Sequence, residues 1–212
     1  MYSILDIDLD YFNHIPDAPQ HFGQLLTWAA CPVSMVLERH NHAFQRWKKR
    51  WRTNGIAPTH ILHVDEHHDM MDQRQQTNIA NFMFHAMCTW PNCRVHWLVQ
   101  YPIDSPAMWL DDEMWENLRQ RFTQGPRRPA LWPKPDVVSV CTSPDFVPDK
   151  LEKDLMDVLS GFMANEHKKN AEQGPAADKL RPQTLWLRSQ VQTLNPLKKH
   201  LYEISTRRNR IH

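Results

Sequence analysis

The sequence predicts an α/β fold with a mostly parallel sheet flanked by helices. Two observations predict it. Short apolar runs rich in β-branched or aromatic residues recur along the chain, and amphipathic helical patterns lie between them. Strands that alternate with helices pair in parallel, because a helix returns the chain to the same edge of the sheet.

Four segments read as buried strands. Ser3–Asp10 carries Ile4, Leu5, Ile7 and Leu9, and Thr59–Val64 carries Ile61, Leu62 and Val64. Arg94–Gln100 holds Val95, Trp97, Leu98 and Val99, and Asp136–Cys141 holds Val137, Val138 and Val140. Helical spacing is found over His42–Arg52 (Phe44, Trp47, Trp51) and over Thr77–Trp90 (Ile79, Phe82, Met83, Ala86, Met87). It is weaker over Met114–Phe122 and clear over Lys150–Met163, through Leu151, Leu155, Val158, Leu159 and Phe162. Gly125–Pro135 contains four prolines and reads as an extended loop. Lys168–Leu180 is polar and reads as a linker, Ser189–Ile204 as a last helix broken by Pro196, and Arg207-Arg208-Asn209-Arg210 as a basic tail.

A length of 212 residues suits one domain with an appendage, and 41% hydrophobic with 23% charged residues is ordinary for a water-soluble protein. A formal net charge of +1 gives no general attraction to nucleic acid or to an anionic membrane, so neither is expected as a partner; a homo-oligomer stays open. No apolar run is long enough to span a bilayer, and Asp6 interrupts the amino terminus before a signal-peptide core could build, so a cytoplasmic location is expected. Cys31, Cys88, Cys93 and Cys141 form no Cys-x-x-Cys pair and read as reduced thiols.

The chemistry concentrates in three places. In Ile4-Leu5-Asp6-Ile7-Asp8-Leu9-Asp10, strand alternation puts the three aspartates on one face and Ile7 and Leu9 on the other. Ionised groups on a buried face need a partner or a metal, and the carboxyl end of a strand is where α/β sheets place their sites. An exposed, wetted acidic edge is the plainer reading. In Ile61-Leu62-His63-Val64-Asp65-Glu66-His67-His68-Asp69, an apolar strand runs into Asp-x-His-x-Asp, with Asp65, His67 and Asp69 on one side if the chain stays extended. Carboxylate oxygen with imidazole nitrogen suits hard or borderline divalent metals that activate water. In Val36-Leu37-Glu38-Arg39-His40, a histidine ends an apolar stretch before a helix, where a cap or surface role is the ordinary one.

Taken together these residues resemble the arginase and agmatinase (ureohydrolase) superfamily. Asp65-Glu66-His67-His68-Asp69 is similar to its Asp-x-His-x-Asp motif, and Asp6-x-Asp8-x-Asp10 to its Ser-x-Asp-x-Asp strand end. In that family a further metal-binding histidine ends a strand upstream, and His40 stands 25 residues before Asp65. The match is closer to an arginase-like branch that includes peptide arginases, through Val36–His40, Leu62–Asp69, and Asn81-Phe82 followed by Val95–Val99. It covers about residues 1–148. Relative to arginase the Asp-x-Asp strand comes first, a permutation that keeps a site if the two strands remain neighbours. The glycine-rich loops that hold a free amino acid in arginase are not evident in a chain with five glycines.

The resemblance implies two divalent ions, most simply manganese. His40 and Asp69 would bind one and His67 and Asp10 the other, with Asp65 and Asp8 shared between them. Asp6 would orient a ligand; a register with Asp6 and Asp8 as ligands is the alternative. The substrate implied is an arginine within a peptide or protein, cleaved to ornithine and urea. Asp145, in the loop after Asp136–Cys141, is the candidate to hold the guanidinium, with turn or cap residue as its plainer role; Glu38 and Glu66 are weaker candidates. His85 or His68 is the candidate proton shuttle, although His85 reads equally as a structural histidine. Asn81 would bond substrate or satisfy backbone. Residues 1–167 thus read as an arginase-like α/β metal-binding domain and 168–212 as a polar linker and basic tail. Two other functions stay open: a zinc-dependent, deacetylase-like amide hydrolase, and a noncatalytic metal-binding regulatory module.

Overall fold

A computed structural model of the chain describes residues 2–102 and 104–172, the last six as helical backbone. The chain divides into a unit over Met1–Asn165, which contains the fold below, and a second over Glu166–His212. The linker beyond Glu172, the helix expected over Ser189–Ile204 and the basic tail lie outside the described residues.

The strands are β1 (Ser3–Asp8), β2 (Val33–Leu37), β3 (His60–Val64), β4 (Arg94–Leu98), β5 (Phe122–Gly125) and β6 (Val137–Cys141). They form one sheet in the order β2-β6-β1-β3-β4-β5. Every pairing is parallel. The four expected strands are all present, each trimmed at an end. The helices are α1 (Ala18–Ala29), α2 (Asn41–Asn54), α3 (Phe82–Thr89), α4 (Asp112–Arg119) and α5 (Asp149–Glu172). α5 continues beyond Met163, where the apolar spacing ends, into the stretch expected to be linker.

A parallel sheet must be covered on both faces, which is why its strands read as near-continuous apolar runs. On one face Ile4, Ile61, Val95 and Val137 pack with Phe44 and Trp47 of α2, Phe82 and Met83 of α3 and Leu118 of α4. On the other, Leu5, Ile7, Leu62, Val64, Val138 and Val140 pack with Phe22 and Leu26 of α1 and Leu155 and Leu159 of α5. Crossings toward the β5 edge carry α2, α3 and α4 on the first face, and the crossing from β1 to β2 carries α1 on the second. A uniform crossover hand demands that division. The chain therefore leaves β1 toward one face and its neighbour β3 toward the other. A crevice opens outside the carboxyl ends of adjacent strands where the connections diverge in this way.

Three elements were not read from the sequence. α1 follows the i, i+4, i+8 spacing of Ala18, Phe22 and Leu26, but begins at Asp17 in the left-handed region and contains Pro19 and Gly23. β2 was seen only as an apolar stretch, and β5 is a four-residue edge strand whose first residue, Phe122, was assigned to the preceding helix. α4 starts earlier than its apolar spacing, at Asp112, because the Asp111 carboxylate accepts from Met114 N at 2.8 Å and caps it. α2 stops at Gly55, whose φ of 70° suits a residue without Cβ. Among the described residues no two of the four cysteines are joined in a disulfide, and no helix is long and apolar enough to cross a membrane.

Phe22 is fully buried between the sheet and α5. Phe22→Ala is expected to lower unfolding free energy by about 3–5 kcal/mol in urea titrations. A loss below roughly 1 kcal/mol would contradict this packing.

Candidate metal centre

The two acid-bearing strands are hydrogen-bonded neighbours, with Asp6 opposite His63. The permuted order therefore keeps the two motifs side by side at the crevice. β1 ends at Asp8, and a 3-10 turn over Leu9–His14 follows. Asp8 Oδ1 accepts from Asp10 N at 3.0 Å, and this cap turns the chain so that Asp10 faces β3 instead of continuing the strand alternation. At the end of β3, Trp97 Nε1 donates to the Asp65 carbonyl at 3.0 Å and His67 N donates to Asp65 Oδ1 at 2.7 Å. Asp69 sits in the left-handed region at φ 52°, and its carbonyl accepts from Met83 N and Phe84 N at the start of α3. The helix start thus locks the Asp69 backbone. His40 precedes α2, and its ring packs on Phe82 with centroids 4.6 Å apart.

These elements converge. His40 Nδ1 lies 3.0 Å from Asp8 Oδ2, 2.9 Å from Asp65 Oδ2 and 3.5 Å from Asp69 Oδ2. His67 Nδ1 lies 3.2 Å from Asp10 Oδ2 and 3.7 Å from Asp65 Oδ1. Asp65 thus turns one oxygen to each histidine. Ligand atoms lie within 4.8 Å of one another in the trios Asp8/His40/Asp65, Asp10/Asp65/His67, His63/Asp65/Asp69 and Asp6/His40/His63. His40 supplies a direct test of fit: its Nδ1 is buried and not aligned for a hydrogen bond, although the carboxylates of Asp8, Asp65 and Asp69 all lie within 3.5 Å of it. Contact without alignment is what a ligand set aimed at a common point gives. These buried Asp and His groups could hold metal ions, and the mixture suits hard or borderline divalent cations.

Protons reveal the same excess of negative charge. Burial, then the charge of Asp65, pushes Asp10 up to about 8 and Asp69 well above the usual carboxylate range. Burial opposes ionisation of Asp65 and Asp6 too, but it is outweighed at Asp65 by His63, His40 and His67 and at Asp6 by His40 and His63, so both stay low. His40 is raised well above its ordinary value because Asp6 and Asp8 overcome its burial, and bonds to Asp10 and Asp65 push His67 up to about 11.

All six residues expected to bind metal line one cavity of about 340 Å³. Glu38, Arg39, Met71, Ile79, Asp145 and Phe146 supply much of its remaining wall. Asp145, the candidate substrate contact, lines the cavity and is exposed. Four other expectations are displaced from the lining. His68 is buried against Trp97, accepts from Met70 N at 3.0 Å and lies 3.2 Å from Asp104; burial lowers its pKa to about 4. His85 bonds the Arg74 carbonyl at 2.9 Å and packs between Phe44 and Phe84. Asn81 is buried and organises the loop before α3, accepting from Asn78 N and donating to Asp72 and the Gln76 carbonyl. Glu66 contacts Asn13 and His14 outside the lining.

Two residues of the centre escaped the sequence reading. His63, fully buried, faces the cluster; alternation counted back from Asp65 was the available signal. Ser143, at φ 41°, donates to Asp8 Oδ2 at 2.6 Å; only its position just after β6 hinted at it.

Asp10 at about 8 lies above its unfolded value of roughly 3.9, and His67 at about 11 lies above roughly 6.5. The folded state therefore binds the extra protons between those limits, and stability falls as pH rises through them. Chelator-treated protein is expected to unfold at progressively lower temperature from pH 6 to 9. Saturating Mn2+ should flatten that fall. A midpoint that rises with pH would contradict the charge arrangement.

Compared with protein-family models, curated proteins and solved structures, the chain matches none.

Proposed function

We propose that this chain is a metal-dependent hydrolase of C–N bonds, an arginase-like amidinohydrolase that converts a peptide-bound arginine to ornithine and releases urea. The observation that carries the reading is the split Asp65 carboxylate, which joins the Asp8/His40/Asp65 and Asp10/Asp65/His67 trios on the floor of one cavity. That arrangement suits two divalent cations, most simply Mn2+, with Asp69 beside the His40 trio. When bound, such cations would supply Lewis acidity and a water acidic enough to attack at neutral pH.

The chain's own residues supply the rest. Asp145 and Glu38 present carboxylates at the cavity wall, the acceptors a guanidinium needs. Phe146 and Ile79, 54% and 42% exposed, give that wall an apolar surface for a substrate's aliphatic stem or neighbouring residue. Burial of Asp8, Asp65 and Asp69 keeps the floor in a low dielectric, where charge interactions with a cationic substrate are strong.

A second reading, a metal-binding module without turnover, is favoured by one observation: His68 and His85, the candidate shuttles, stand outside the lining. A deacetylase-like site would hold one zinc.

Metal analysis of protein loaded with Mn2+ is expected to give two ions per chain, and arginine-containing peptides are expected to release urea. Asp65→Ala should remove bound metal and bring urea release to background. Full manganese loading without urea from any arginine peptide would sink the amidinohydrolase and leave the module. Unchanged metal content in Asp65→Ala would sink the site.

A further inference from the structure

Behind the cavity floor lies a second layer that the proposed chemistry does not use. Asp6 and His63 are fully buried, at 0% exposure, and neither lines the cavity. Asp6 Oδ1 accepts from Ser139 Oγ of β6 at 2.8 Å. Asp6 Oδ2 accepts from His63 Nδ1 of β3 at 3.0 Å and lies 2.8 Å from His40 Nε2. One carboxylate of β1 is thus shared by the His63 imidazole of β3, the Ser139 hydroxyl of β6 and the His40 imidazole ahead of α2.

The far side of each imidazole faces the floor. With Nε2 against Asp6, His40 turns Nδ1 to Asp8, Asp65 and Asp69. With Nδ1 bonded to Asp6, His63 donates from Nε2 to the His67 carbonyl at 3.1 Å, inside the loop that presents Asp65, His67 and Asp69. Phe82 closes the layer, its centroid 4.6 Å from the His40 ring and 5.7 Å from that of His63.

We infer that Asp6, His63 and Ser139 form a buried positioning unit for the metal centre: Asp6 fixes which nitrogen His40 offers a cation, and His63 fixes the loop that carries the remaining ligands. The inference rests on the metal-binding reading and assigns Asp6 as an orienting group, with Asp8 and Asp10 as the ligands from β1 and its turn. Asp6 Oδ1 and Oδ2 already accept from Ser139 and His63, and Asp6 does not line the cavity. Groups that orient a ligand in this way are worth about 10–100-fold in metal affinity.

The test titrates Mn2+ and Co2+ into full-length wild type, Asp6→Asn, His63→Gln and the milder Ser139→Ala, with circular dichroism to confirm folding. Asp6→Asn and His63→Gln should bind both ions about 10–100-fold more weakly, and Ser139→Ala less severely so. The visible Co2+ spectrum at saturation should keep the wild-type shape, because the ligands themselves are unchanged. Unaltered affinity in the folded variants overturns the inference, including when Ser139→Ala is the one that folds. A changed spectrum also overturns it, since a residue of the unit would then be a ligand. Wild type that binds neither ion fails earlier and overturns the metal reading itself.

Discussion

The structure depends on one electrostatic constraint: five carboxylates, Asp6, Asp8, Asp10, Asp65 and Asp69, are buried around one crevice. Isolated buried carboxylates are so costly that they surrender their charge or find cations. Both outcomes are present. Asp6 and Asp65 are held low by His40 and His63, whereas burial and the charge of Asp65 push Asp10 and Asp69 up. Three imidazoles do not balance five acids, and the imbalance is greatest beside the cavity, where an ion could enter.

A repulsive cluster persists only where the scaffold overdetermines it. Here each acidic residue is held through its backbone or side chain by something rigid. Trp97, buried in the sheet, holds the Asp65 carbonyl, and the amino end of α3 holds that of Asp69 in the left-handed region. Ser143, also left-handed, holds Asp8 from the loop after β6. Left-handed backbone at non-glycine residues carries strain of order 1–3 kcal/mol, kept where the surroundings impose it. Two such residues border the same cavity, and the apolar packing of Phe82 under both His40 and His63 gives the surroundings their stiffness.

What the sequence made legible follows from period and range. Alternation over two residues is local, so the aspartates of β1, the Asp65-x-His67 pair and the sheet itself could be read from apolar runs. Asp10 came out on the correct side for a different reason: the strand ends at Asp8, and the Asp8 cap turns the next residues back. His68, His85 and Asn81 carry the right chemistry for a site but are claimed by Met70 N, the Arg74 carbonyl and Asp72, partners that no periodicity announces. Ser143 is the converse, an ordinary loop serine whose importance depends on a contact 135 residues away. α1, which was not read from the sequence, carries Pro19 and Gly23, yet proline in a first helical turn removes an amide that has no partner anyway.

Three aspartates spaced two apart on one strand end in three different environments, and depth along the strand decides which. Asp6 lies far enough back that β3 and β6 flank it on both sides, so its oxygens are taken by Ser139 and His63. Asp8, at the strand end, still pairs with Cys141 of β6 but has no register partner in β3, and divides its oxygens between Ser143 and the turn. Asp10 is past the sheet and meets β3's outgoing loop through His67. Each of the three has a hydrogen-bond partner at both oxygens, but toward the strand end the partners pass from β3 and β6 to loops, and burial with the charge of Asp65 raises Asp10 to about 8. Acids whose partners pass from strand to loop toward the end of a strand form a position the sheet alone cannot complete, and in this chain that end opens into the cavity.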